Sequence, residues 1–409
     1  MKTTKLLTGA LLALALLSTA QAGVTRITGS TAFRANTTDA ILAEFDNTPQ
    51  VTYAYVNNAA GTATVGKSVA AIFKGNIGGA PQVIKTHFTG SEGGIQTTAG
   101  SRIVTFLSSD VPTSPGGTVL ESNQQLTDSV VPDVTMADSF QSTSRFKRGS
   151  AAGGGGYVTL NATSKTSGIG PAQIVGIVPF QFVSSLSAPN SLRNMTDKNA
   201  RALFSAGRVG LALFTGLPID TAKTVYATGR DIDSGTRLQA FAETGLGALA
   251  TVKQYQPRKN GHKAVTAGGT LDFPYTIWPS ETVNGITEVT GNGGYSSGGD
   301  LANALGNITP NGTMFASYLG VNDAITAVGV GAHTLKFNGY DYRVNAIKYG
   351  QYTFWGYEHL YYRDNIDGDS KFVADKLARI IYDSTAPAPK YIDMKAKRIV
   401  DGGTVFPLY

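Results

Sequence analysis

The sequence predicts an α/β protein, and three observations carry that reading. Short β-branched apolar runs recur along the chain, at residues 24–28, 51–56, 83–88, 103–107, 134–136, 174–182 and 224–227. Between several of them stand segments whose apolar residues repeat at helical spacing. The 409 residues are 42% hydrophobic and 15% charged, enough to bury two or three domain cores and too uncharged for a disordered chain. Strands alternating with amphipathic helices build largely parallel sheets.

The first strand, 24–28, runs into Ser30 or Thr31 as the cap of a helix striped by Ile41, Leu42 and Phe45. Residues 112–129 turn polar, and the four glycines at 153–156 read as a flexible loop tip. After the buried strand at 174–182, Thr196 caps a helix bearing Ala200, Leu203 and Phe204, which Gly207 ends. The strand at 224–227 precedes a helix with Leu238 and Phe241 that stops at Gly245. A late helix at 371–382 carries Val373, Leu377, Ile380 and Ile381 on one face. No internal repeat of fixed period is present.

Composition excludes several classes. There is no cysteine, so disulfides, thiolate metal sites and cysteine nucleophiles are out. The 49 glycines lack a three-residue period, so the chain is not collagen-like. Lys2 and Lys5 precede a 12-residue run at 6–17 that is too short to span a bilayer, and Ala20-Gln21-Ala22 offers a small-x-small cleavage site. Residues 1–22 therefore read as a secretory signal peptide, and the mature chain as periplasmic or secreted. Without those two lysines the balance is 32 basic against 28 acidic residues, scattered rather than striped, so no nucleic-acid partner is expected. The four histidines have no metal-ligand spacing, so neither a metal nor a cofactor is expected.

Four loops carry the chemistry. Thr28-Gly29-Ser30-Thr31-Ala32-Phe33 follows a strand and opens a helix, where unpaired amides and hydroxyls receive an anion. Thr89-Gly90-Ser91-Glu92-Gly93-Gly94-Ile95 follows another strand, and its glycines admit a close backbone approach. Ala137-Asp138-Ser139 ends a third, with Asp138 as a helix cap or a ligand acceptor. Arg230-Asp231-Ile232-Asp233-Ser234-Gly235-Thr236 gathers a guanidinium fork, hydroxyls and helix-start amides within one turn. All four sit at the carboxyl ends of strands, where open α/β sheets bind ligands.

These loops, in this order, resemble the PstS-like phosphate-binding proteins of ABC transporters, a branch of the type 2 periplasmic binding proteins. Arg230 with Ser234-Gly235-Thr236 is similar to the family's R-x-x-x-S-G-T spacing. Leu192-Arg193-Asn194-Met195-Thr196-Asp197 and Gly350-Gln351-Tyr352-Thr353-Phe354-Trp355 resemble its flanking text. The resemblance implies two α/β domains joined by two crossovers, with a ligand cleft between them. Domain 1 would take 24–180 and 330–409, and domain 2 would take 181–329. It implies a monomeric, non-enzymatic carrier of inorganic phosphate for an ABC permease. Its ligand residues would be Ser30, Thr31, Ala32, Ser91, Gly93, Asp138, Ser139, Arg230, Ser234, Gly235 and Thr236, with Asp138 accepting the phosphate proton. Three departures stand out. The family's Asp two residues after the Arg is Ile232 here, Glu92 brings a negative charge to the second loop, and the polar segment between Leu107 and Val134 is long.

Two other readings come from different classes. Gly294-Tyr295-Ser296-Ser297-Gly298 fits the nucleophile elbow G-x-S-x-G, with Asp323 and His333 following in hydrolase order. A serine hydrolase needs Ser296 within reach of a histidine. Residues 349–362 hold seven aromatics, a core cluster or a carbohydrate or partner platform on a surface or matrix protein. Exposure of Tyr357, Tyr361 and Tyr362 separates the two.

Overall fold

A computed structural model describes residues 22–47, 50–57, 64–121, 125–162, 174–257, 267–310, 312–383 and 389–408. Nearly all of the expected signal peptide lies outside them. The fold is mixed α/β. One large sheet has the strand order 208–210, 224–227, 313–320, 174–184, 355–362, 134–137, 23–29, 80–87, 70–77, 52–56, 118–120. Its helices are α1 Arg34–Glu44, α2 Ser91–Ala99, α3 Asp197–Ala206, α4 Ala212–Thr215, α5 Gly235–Glu243, α6 Gly298–Leu305, α7 Val321–Gly329, α8 Val344–Lys348 and α9 Gly368–Asp383. Among the described residues no helix is long and apolar enough to cross a membrane.

The sheet is mixed rather than largely parallel. Gly23–Gly29 pairs in parallel with Ala80–His87 and Val134–Ala137, and Thr224–Ala227 in parallel with Thr313–Gly320. Ala70–Ile77 and Ala80–His87 are joined only by Gly78 and Gly79, both at positive φ, and so brief a connection forces an antiparallel hairpin. Ile174–Ser184 and Trp355–Tyr362 pair antiparallel at the middle of the sheet and carry the chain from one half to the other and back. Ile174–Ser184 is buried throughout, as its unbroken apolar run requires.

Local signals held where side chains decide locally. Thr196 accepts from Asn199 N and caps α3, and Gly207 ends it in the left-handed region. The polar segment forms strands Thr118–Leu120 and Leu126–Val130, which cover the sheet edge and the strand Val104–Leu107. The four glycines do not form a free loop tip. Gly153 lies under the hairpin turn Asn284-Gly285, where an added Cβ would stand 3.1 Å from the Asn284 carbonyl. Most of the aromatic run is core: Tyr357 and Tyr361 are 1% and 2% exposed and Tyr362 is half-buried, while Tyr349 at its start stands 66% exposed, so the run presents no continuous aromatic platform.

Candidate functional site

The first loop differs from its expected form. α1 begins at Arg34 with Phe33 as cap, not at Ser30 or Thr31. Ser30 Oγ accepts from Phe33 N at 3.3 Å, which occupies a lone pair and leaves its O–H to turn toward buried Glu358. Thr31, one residue on, is left to reach the opposite loop, where its Oγ1 accepts from Arg230 Nη2 at 3.0 Å. Ala32 is half-buried and packs toward Gly320.

The second loop is already helix. Gly90 caps α2 at φ 92°, and Ser91 is its first residue. Its glycines serve packing: a Cβ at Gly94 would stand 2.6 Å from Gly29 Cα, so α2 lies directly on the end of the first strand. Gly93 faces the other wall, at Asp233 and Asn284. Ser91 Oγ donates to Asp138 Oδ1 at 2.5 Å and accepts from Asp138 N at 3.2 Å. Asp138 is fully buried, its Oδ2 has no hydrogen-bond partner, and it lies against the start of α5. A Cβ on Gly235 would fall 1.5 Å from Asp138 Oδ1 and 2.7 Å from Ser91 Cβ. Two helix N-termini thus converge on this carboxyl. Burial pushes its pKa up to about 6, against the pull of the Ser91 hydroxyl and the Arg230 charge.

Arg230 is 1% exposed and follows the strand Thr224–Ala227. Its Nε donates to Tyr295 O at 3.0 Å and its Nη2 to Ser296 O at 2.8 Å. Among the described residues no carboxylate lies within ion-pair distance of it. The carbonyls of Tyr295 and Ser296 therefore aim the guanidinium and leave its charge unspent. Ser234 caps α5 by accepting from Arg237 N, and Thr236 is buried in its first turn.

This geometry also accounts for the G-x-S-x-G motif. Tyr295 bridges in parallel to Arg230, and a Cβ on Gly294 would lie 2.2 Å from the Arg230 carbonyl carbon. Ser296 is exposed, and Ser297 caps α6. His333 Nε2 lies 3.3 Å from Leu186 O, and Asp323 lies against Gly298. The motif is a close backbone approach that holds Arg230. Gly294→Ala is expected to cost about 1–3 kcal/mol of stability through overpacking and to weaken anion binding, while Ser296→Ala changes neither. Melting temperature and titration calorimetry read both.

Glu92 is held by three donors from residues 139–145. Its Oε2 accepts from Ser144 Oγ at 2.9 Å and Arg145 N at 3.0 Å, and its Oε1 from Ser139 Oγ at 3.3 Å. The Ser139 hydroxyl proton is thereby committed to Glu92. Burial raises the Glu92 pKa to about 7, with the Arg145 amide and Ser144 pulling it back. A folded-state pKa above the unfolded one means stability present at acid pH and lost as pH rises through about 7. The wild type should lose about 3 kcal/mol between pH 4.5 and 8 from this group, and Glu92→Gln should flatten that decline in a melting series.

α2 is bonded to both facing loops: Glu92 N donates to Asp233 O at 3.0 Å, and Gln96 Nε2 to Asn284 O at 2.8 Å. Arg230 meets Thr31, and Ser91, Asp138 and Gly235 meet one another within reach of the Arg230 charge, while Ser30, Ala32, Gly93, Ser139, Ser234 and Thr236 make the contacts given above. Sequence reasoning missed Gln239, whose Nε2 holds Asp138 O at 2.5 Å and Asp401 Oδ1 at 2.6 Å. It also missed Glu358, fully buried beside Asp138 and Ser30. A lone acid inside the aromatic run was the available signal. Among the described residues no group of His, Asp or Glu could hold a metal ion.

No family model and no curated protein matches this chain. Among solved structures it is similar to a Clostridium perfringens protein with bound phosphate, at 10% identity and TM-score 0.43, covering 87% of this chain and 93% of that one. It is also similar to an ABC-type phosphate transport receptor from Vibrio cholerae, at 11% identity and TM-score 0.40, covering 86% and 93%. PstS from Borrelia burgdorferi is similar at 11% identity and TM-score 0.37, covering 87% of this chain and 92% of its own.

Proposed function

We propose that this protein captures a protonated tetrahedral oxyanion, inorganic phosphate, in a cleft between two α/β domains and hands it to an ABC-type permease. No bond is made or broken. One observation carries the reading: a buried guanidinium aimed by carbonyls meets Thr31 across the cleft, beside a buried carboxyl at two helix N-termini. Arg230, Thr31, Ser91 and the start of α5 supply donors to the anion oxygens, and Asp138 accepts from the anion's O–H. The domains are 24–180 with 330–409, and 181–329. The two central strands crossing between them support opening and closing about a hinge. The mature chain acts outside the cytoplasm as a monomer.

Isothermal titration of the mature protein against phosphate, sulfate and molybdate tests this. Phosphate should bind and sulfate should not. Heat from none of the three anions would reject the proposal.

A further inference from the structure

We propose that Glu358 is the neutral partner of Asp138: the two buried carboxyls hold one proton, Glu358 keeps it, and its loss at higher pH expels the bound anion. The proposal rests on the oxyanion reading above and assigns Glu358 as a positioning residue. Glu358 lies on the strand Trp355–Tyr362, between Val134–Ala137 and Ile174–Ser184, at a sheet position where Gly176 stands opposite. It is fully buried, and among the described residues neither carboxyl oxygen has a hydrogen-bond partner within ordinary geometry. The antiparallel register that pairs His359 with Ala137 sets Glu358 beside Asp138, the next residue along, whose Oδ2 is likewise without a partner among the described residues. Two carboxylates in one dry space repel, so one of them must stay protonated.

The surroundings decide which. Asp138 has the Ser91 hydroxyl and the Arg230 charge to favour its ionised form. Glu358 has only the nearby Ser30 hydroxyl, and both burial and the Asp138 charge hold its pKa well above the carboxylate range. The remaining groups around the pair do not reverse this. Gly176 brings no charge, Gln239 on α5 is neutral, Asp401 adds negative potential at Asp138, and Tyr361 stays a neutral phenol. The proton on Glu358 is what allows Asp138 to remain the acceptor that reads the anion's O–H. An ionised Glu358 would add a second negative charge beside the ligand.

The test compares wild type with Glu358→Gln, which keeps the shape and cannot ionise, using phosphate titration calorimetry from pH 5.5 to 9. Melting curves of the phosphate-free proteins cover the same range. At pH 6.5 the two should bind within about threefold. At higher pH wild type should fall behind by about tenfold per pH unit once Glu358 ionises, and the phosphate's own titration cancels in the ratio. The melting-temperature advantage of Glu358→Gln should widen with pH, because an acid raised in the folded state costs stability as pH rises. If Glu358→Gln does not fold, Glu358→Met provides the same non-ionising comparison. An affinity ratio that stays flat to pH 9 overturns the proposal. Phosphate bound by neither protein would instead reject the oxyanion reading, and the melting series would judge the acid pair by itself.

Discussion

Arg230→Ala is expected to weaken phosphate binding by about tenfold to several thousandfold. The magnitude follows from truncating one partner of a buried charge pair, which costs about 2–5 kcal/mol. The structure gives the effect a specific origin. The carbonyls of Tyr295 and Ser296 hold the guanidinium and neutralise nothing, so its full charge is available to an anion at Thr31. Arg230→Lys keeps the charge but loses the planar fork that bonds both carbonyls, and should fall between wild type and Arg230→Ala. Titration calorimetry reads all three, with a melting curve to confirm folding. Equal affinity in wild type and Arg230→Ala would place the anion elsewhere.

Asp138→Asn should change which anion is accepted. An ionised carboxylate accepts hydrogen bonds only, so it fits the O–H of phosphate and confronts the bare oxygens of sulfate. Such a built-in repulsion separates close analogues by several orders of magnitude. The asparagine offers a donor as well, so it should lose phosphate affinity and gain measurable sulfate binding. The wild type makes the same point through pH. Its Asp138 titrates at about 6, so sulfate rejection should weaken as pH falls through that value and the carboxyl becomes a donor. Sulfate binding as tight as phosphate binding at pH 8 would remove Asp138 from this role.

How far the site was legible depends on the kind of residue. Asp138, Arg230 and Ser91 were legible because each lies at a strand end followed by turn chemistry, a pattern written within a few residues. Ser139 was placed with them by the resemblance of its segment. Its hydroxyl proton is committed to Glu92, 47 positions earlier. Gly294-Tyr295-Ser296 read as an elbow because the pattern records glycines and a serine, not what the backbone approaches. Glu358 was hidden because an acid between Tyr357 and His359 carries no period that shows what lies beside it.

Legible in the sequence were the α/β class, the helix stops at Gly207 and Gly245, the buried strand at 174–182, which the structure extends to Ser184, and the order of the anion-type loops. These depend on side-chain period and on backbone preferences of neighbouring residues, which act over a few positions. Only the folded chain shows that Arg230 is aimed by carbonyls 65 and 66 positions away, that Gly235 abuts Asp138, and that the register of adjacent strands sets buried Glu358 beside buried Asp138. Charge and burial act through distance in space, and the strands crossing at the middle of the sheet bring those residues together across long stretches of chain.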